Sequence, residues 1–156
     1  MIRPFSVTRK ARFALGSSIA AMVVLGGGQA RAADATELAN VFADCSGVWQ
    51  AVSIMESRVG RQLSAERYAG LAWAATASAG YILAVDYSAR AEDSQQIGSW
   101  DSYVEPRASG ARLQMLTLID NQDADRVDHW IGACAATLQT QTQIVRLIRN
   151  QMADRN

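Results

Sequence analysis

From residue 33 onward, apolar positions recur at alternating spacings of three and four through most of the chain, and that period belongs to helices. The first run is the clearest. Leu38, Phe42, Cys45, Trp49, Val52 and Val59 form one stripe, which predicts a helix over about residues 35–59 with that stripe inward. Asp34 stands at a capping position, Glu37 three residues on completes a capping-box pattern, and Gly60 is a natural stop. A second helix is expected over about residues 64–91. It is crowded with small residues, among them Ala69, Gly70, Ala72, Ala75, Ala79 and Gly80, which let backbones approach closely and mark it as the central helix.

The stretch Glu92–Arg107 is polar, contains Gly98, ends near Pro106 and keeps no helical period, so a long loop over 92–107 is predicted. A third helix is expected over about 108–119, with Leu113, Leu116 and Ile119 inward. After an acidic turn from Asp120 to Asp125, a fourth helix over about 125–152 places Val127, Ile131, Cys134, Leu138, Val145, Ile148 and Met152 on one side, with one position skipped. No alternating strand pattern and no internal repeat occurs in the sequence. Cys45 and Cys134 lie on the apolar stripes of the first and last helices, so the two thiols point at a common core. The expected fold is therefore all-α: an antiparallel four-helix-bundle-like domain closed by one Cys45–Cys134 disulfide. Closing so long a loop is worth about 4 kcal/mol in the chain-entropy model.

The first thirty-two residues change the picture. Arg3, Arg9, Lys10 and Arg12 precede an apolar stretch from Phe13 to Leu25, and Ala30-Arg31-Ala32 supplies small residues at the positions a signal peptidase reads. This pattern predicts a secretory signal peptide over residues 1–32, cleaved after Ala32, and a single mature domain over 33–156. A periplasmic or secreted location is then expected, where a disulfide persists. The alternative is an uncleaved leader that anchors the protein in the inner membrane.

The whole chain is electrically balanced, but the leader carries five of its fifteen basic side chains and none of the fifteen acids. The segment beyond Ala32 holds ten basic against fifteen acidic side chains, a net charge of −5, with no lysine. An acidic domain without a basic stripe is a poor ligand for nucleic acid or anionic membrane surfaces, and the loss of Lys10 removes Schiff-base chemistry.

Other chemistries fail on inventory. No Cys-x-x-Cys-His run exists for covalent haem, and His129, the only histidine, sits about 200° around the helix from both Val127 and Ile131. No Glu-x-x-His pair is present for di-iron, and one histidine is too few for structural zinc. Asp120, Asp123, Asp125 and Asp128 resemble a calcium loop only loosely, since Arg126 holds the glycine position and Gly132 the glutamate position; acids gathered at a helix start are the simpler reading. No cofactor, no metal and no catalytic set is expected.

Recognition remains. Trp100, Asp101, Tyr103 and Arg107 bring two aromatics and an arginine into the predicted loop, residue types that anchor interfaces. They are the expected binding residues of an interaction module for a protein partner in the cell envelope, with a small ligand as an option. The competing structural role is to plug the open end of the bundle. An accessory subunit of an envelope membrane complex, held by an uncleaved leader or by the second helix, is the first alternative function. An enzyme of unrecognised type is the second.

Overall fold

The computed structural model describes residues 28–90 and 100–154. These residues form five helices: α1 (Gly28–Arg58), α2 (Gln62–Arg90), α3 (Asp101–Asp120), α4 (Ala124–Ala136) and α5 (Leu138–Ala153). No strand occurs among the described residues. Residues 1–27 of the expected signal peptide and residues 92–99 of the expected loop lie outside them, and residues 28–32 open the first helix. α1 begins ahead of Asp34, which sits inside the helix rather than at its cap. Ala30, Ala32, Ala33 and Ala35 surround that position, and alanine is the strongest helix former.

α1 is the element around which the others pack. It makes its largest interface with α2, the next with α3, and a smaller one with α4. Ala39, Phe42, Ala43, Cys45, Ser46, Val48, Trp49 and Ala51 are all buried, so its middle is covered on nearly every side. α2 runs antiparallel to α1, with Ser46 bonded to Thr76 (2.7 Å) and Ser53 donating to the Ala65 carbonyl (2.8 Å). α3 runs in the same direction as α1, since Tyr103 reaches Asn40 and Arg112 reaches Gln50. α5 packs along α2, with Gln141 on the Leu71 carbonyl and Gln151 on Tyr81.

The expectation that the second helix is central is corrected by this packing, and Gly47 gives the reason. A Cβ built there would lie 2.1 Å from the Ala108 carbonyl oxygen and 2.8 Å from the Ala111 Cβ. At Gly47 the backbones of α1 and α3 are therefore in direct contact. Ala39, Ala43, Gly47 and Ala51, spaced four apart, form a small-residue seam along α1. On α2 small residues run all round the helix, and Ala69 and Gly70 face solvent.

Two further boundaries differ from the sequence pattern. α3 starts at Asp101, not near 108, and runs through Pro106. Proline there, in the second turn, gives up one helical hydrogen bond and crowds the Ser102 carbonyl. Burial of Val104 and Ala108 against α1 outweighs it. The last helix is broken at Thr137, whose hydroxyl bonds back to the Cys134 carbonyl (2.8 Å) in place of a straight continuation. Past the break, the skipped apolar position is filled by Gln141, fully buried, with its amide nitrogen on the Leu71 carbonyl at 3.2 Å.

The Cys45–Cys134 disulfide is present, with a Cα–Cα distance of 5.3 Å across a sequence separation of 89. Its half-cystines sit in a core cluster with Val48, Trp49, Ala72, Ala75 and Met115. A second cluster joins Phe42, Ala79, Leu83, Val104, Ile144 and Ile148 toward the other end. The α1–α2 turn is held by a two-pronged Arg61–Glu56 pair (2.6 and 2.7 Å), which raises the guanidinium above its ordinary pKa. Gly60 adopts the positive φ (78°) that this turn requires.

Candidate interaction site

The four residues read as a binding loop separate into two groups. Trp100 precedes α3 and is half-buried, its ring edge-on to Tyr87 at 5.8 Å and packed on the Phe42–Leu83 cluster. Asp101 is exposed in the first turn of α3, where its charge meets the positive end of the helix dipole. Tyr103 and Arg107, one helical turn apart, both lean on α1. The Tyr103 hydroxyl donates to Asn40 Oδ1 (3.1 Å). Arg107 donates to the Asn40 carbonyl (3.3 Å) and pairs with Asp44 (2.8 Å). Helical order in this stretch turns a scatter of loop residues into a seam, Asn40–Asp44–Tyr103–Arg107, that stays exposed on its outer side. An ion pair of this exposure contributes about 0–1 kcal/mol, so the seam is weakly held.

Asp44 also borders a second feature that the stripe pattern did not reveal. A groove of about 230 Å³ lies between α1 and α4, lined by Val41, Asp44, Cys45, Val48, His129, Trp130, Ala133 and Cys134. Its walls are mostly apolar, and the disulfide forms part of its floor. His129 is exposed at the lip beside half-buried Trp130. The sequence signal for this groove is a second row on α1, Val41 and Val48 seven apart, beside the main stripe. That row is hidden by reading Leu38 as core, whereas Leu38 is 40% exposed; Val59, read as inward, is also exposed.

The acidic turn has a structural role. Asp123 caps α4, accepting from the Arg126 backbone N–H at 3.3 Å, and Asp125 sits in the first turn. Among the described residues no group of three or more His, Cys, Asp or Glu side chains is arranged to hold a metal. On α2, Leu63 and Trp73 are strongly exposed, and the helix is long and apolar enough to cross a membrane by length and composition (mean hydropathy 1.3 over its best window). Comparison with protein-family models, curated proteins and solved structures finds no match to this chain.

Proposed function

We propose that the protein is an exported binding module that engages a protein partner of the cell envelope through the Asn40–Asp44–Tyr103–Arg107 seam. The observation that carries this reading is the exposed convergence of Tyr103 and Arg107 on α1. An aromatic and an arginine side by side are favoured interface anchors. The disulfide supports an oxidising, extracytoplasmic compartment, in agreement with a cleaved leader and a periplasmic or secreted mature domain. We read the architecture as an up-down-up-down bundle whose fourth element is α4 and α5 together, broken at Thr137. The direction of each helix pair supports that reading. The reading includes no catalytic step; turnover abolished by one acidic substitution would replace it with an enzyme.

The test is recovery of envelope proteins on the immobilised protein and on a Tyr103→Ala/Arg107→Ala variant. Loss of at least about 1 kcal/mol of binding, near fivefold, is expected in the variant with helicity unchanged. Equal recovery on both removes the seam as the contact. Trp100→Ala belongs to a different experiment, since that ring packs on the core and its loss lowers stability first. A second reading, a subunit of a membrane complex, draws on the apolar length of α2 and the exposed Leu63 and Trp73. It requires the protein in the membrane fraction, resistant to alkaline wash; recovery in the soluble envelope fraction removes it.

A further inference from the structure

We propose that the α1/α4 groove is the docking site for a cationic amphipathic helix of the partner, a proposal that rests on the interaction-module reading and supplies its partner chemistry. The geometry starts from the break at Thr137. α4 is tied to α1 by the disulfide, but past Thr137 the chain tracks α2 instead, as the Gln141–Leu71 and Gln151–Tyr81 bonds show. Among the described residues, nothing then covers the lower outer face of α1. Continuing down from the groove wall, that face carries Val41 (38% exposed), Leu38, and then the exposed acids Glu37 and Asp34.

Size and shape argue against a small molecule. A volume of about 230 Å³ falls below the roughly 300–1,000 Å³ of enclosed ligand pockets. It suits one or two anchor side chains set along a row. Leu38, Val41, Cys45 and Val48 present that row at helical spacings, the complement of a partner helix that offers apolar anchors three, four and seven apart. Charge selects the partner's polar face. Asp34 and Glu37 form an acidic rim, while Arg107 and Arg126 are engaged by Asp44 and Asp123. Trp130 lines the groove, and an indole ring attracts an ammonium or guanidinium. A second copy of this chain is disfavoured as occupant, because its domain carries the same net charge of −5 and no lysine.

The experiment uses the purified protein with its disulfide intact and two synthetic helical peptides, one of leucine and lysine with a single apolar face, the other of leucine and glutamate in the same pattern. Amide NMR shifts and fluorescence anisotropy are read. The leucine–lysine peptide is expected to bind, to shift Val41, Val48, Trp130 and Ala133, and to weaken as salt is raised. The leucine–glutamate peptide is expected not to bind. Val41→Arg, with its helicity and disulfide verified, should weaken binding about tenfold. Glu37→Gln, at an exposed position that does not threaten folding, should weaken it about twofold to threefold.

Equal binding of both peptides overturns the proposal, as do shifts confined to the Leu63–Trp73 face of α2 or an affinity unchanged in both variants. The two readings fail separately. A partner held through Tyr103 and Arg107 alongside indifference to the leucine–lysine peptide sinks the groove and keeps the module. Peptide bound in the groove while Tyr103→Ala/Arg107→Ala leaves partner recovery unchanged sinks the seam and keeps the groove.

Discussion

α1 and α2 are both long, and both are rich in alanine and glycine, yet one is the packed axis of the molecule and the other keeps an open side. On α1 the small residues Ala39, Ala43, Gly47 and Ala51 stand in register, so α3 can come in until its backbone touches Gly47. The large residues Phe42, Val48 and Trp49 fill the remaining sides. On α2 the small residues are spread around the helix, and no neighbour reaches a Cβ placed at Gly70. Small side chains permit close packing only where their spacing meets a partner's ridge. Both helices bury small residues in register, Ala65, Ala72, Ala75 and Ala79 on α2 among them, but α2 carries further small residues on a side that no described residue packs against.

Three pairs of substitutions break or sharpen this contrast, each measured by chemical denaturation with the disulfide intact. The largest effect is expected from the tryptophans. Trp49→Ala empties a core position stacked on Tyr68 and should cost about 3–5 kcal/mol. Trp73→Ala, at 59% exposure, should change stability by less than about 0.5 kcal/mol. A similar cost for both would mean that α2 is covered on its outer side.

Next come the glycines. Gly47→Ala forces α3 away from α1 and should destabilise by about 1–3 kcal/mol. Gly70→Ala meets nothing and should stabilise by about 0.4–1 kcal/mol through helix propensity and the unfolded state. The opposite sign of the two is the signature to look for; matching signs would deny the seam.

The smallest contrast lies between two buried hydroxyls. Ser46 bonds across to Thr76 and accepts from Gln50, so Ser46→Ala strands partners and should cost about 1–2 kcal/mol. Ser78 bonds back to Ala74 in its own helix, and Ser78→Ala should stay within about 0.5 kcal/mol. If Ser78→Ala proves the costlier, the polar link between α1 and α2 is not where these bonds place it.

Helical content was legible from periodicity, and the disulfide from two cysteines on separate apolar stripes. The proposed binding residues were only half legible. Tyr103 and Arg107 stood out as aromatic and arginine, but Pro106 and Gly98 broke the local pattern and hid the helical order that lines them up. The groove was not legible, because Asp44, His129 and Trp130 come from helices that meet only through the fold. Nothing in the spacing of Val41 and Val48 names the helix opposite them.

By itself the sequence determined the helical class, the inward middle of each stripe and the pairing of Cys45 with Cys134, while Leu38, Val59, Leu113 and Met152 at the stripe margins are exposed. Which helix became the axis was decided in three dimensions, by the contact of Gly47 with Ala108 and Ala111. So was the break at Thr137, where a back-bonded hydroxyl and the neighbouring tether at Cys134 turn the chain toward α2. The axis depends on steric fit between residues far apart in the chain, and a periodic pattern records one side of such a fit but not the other.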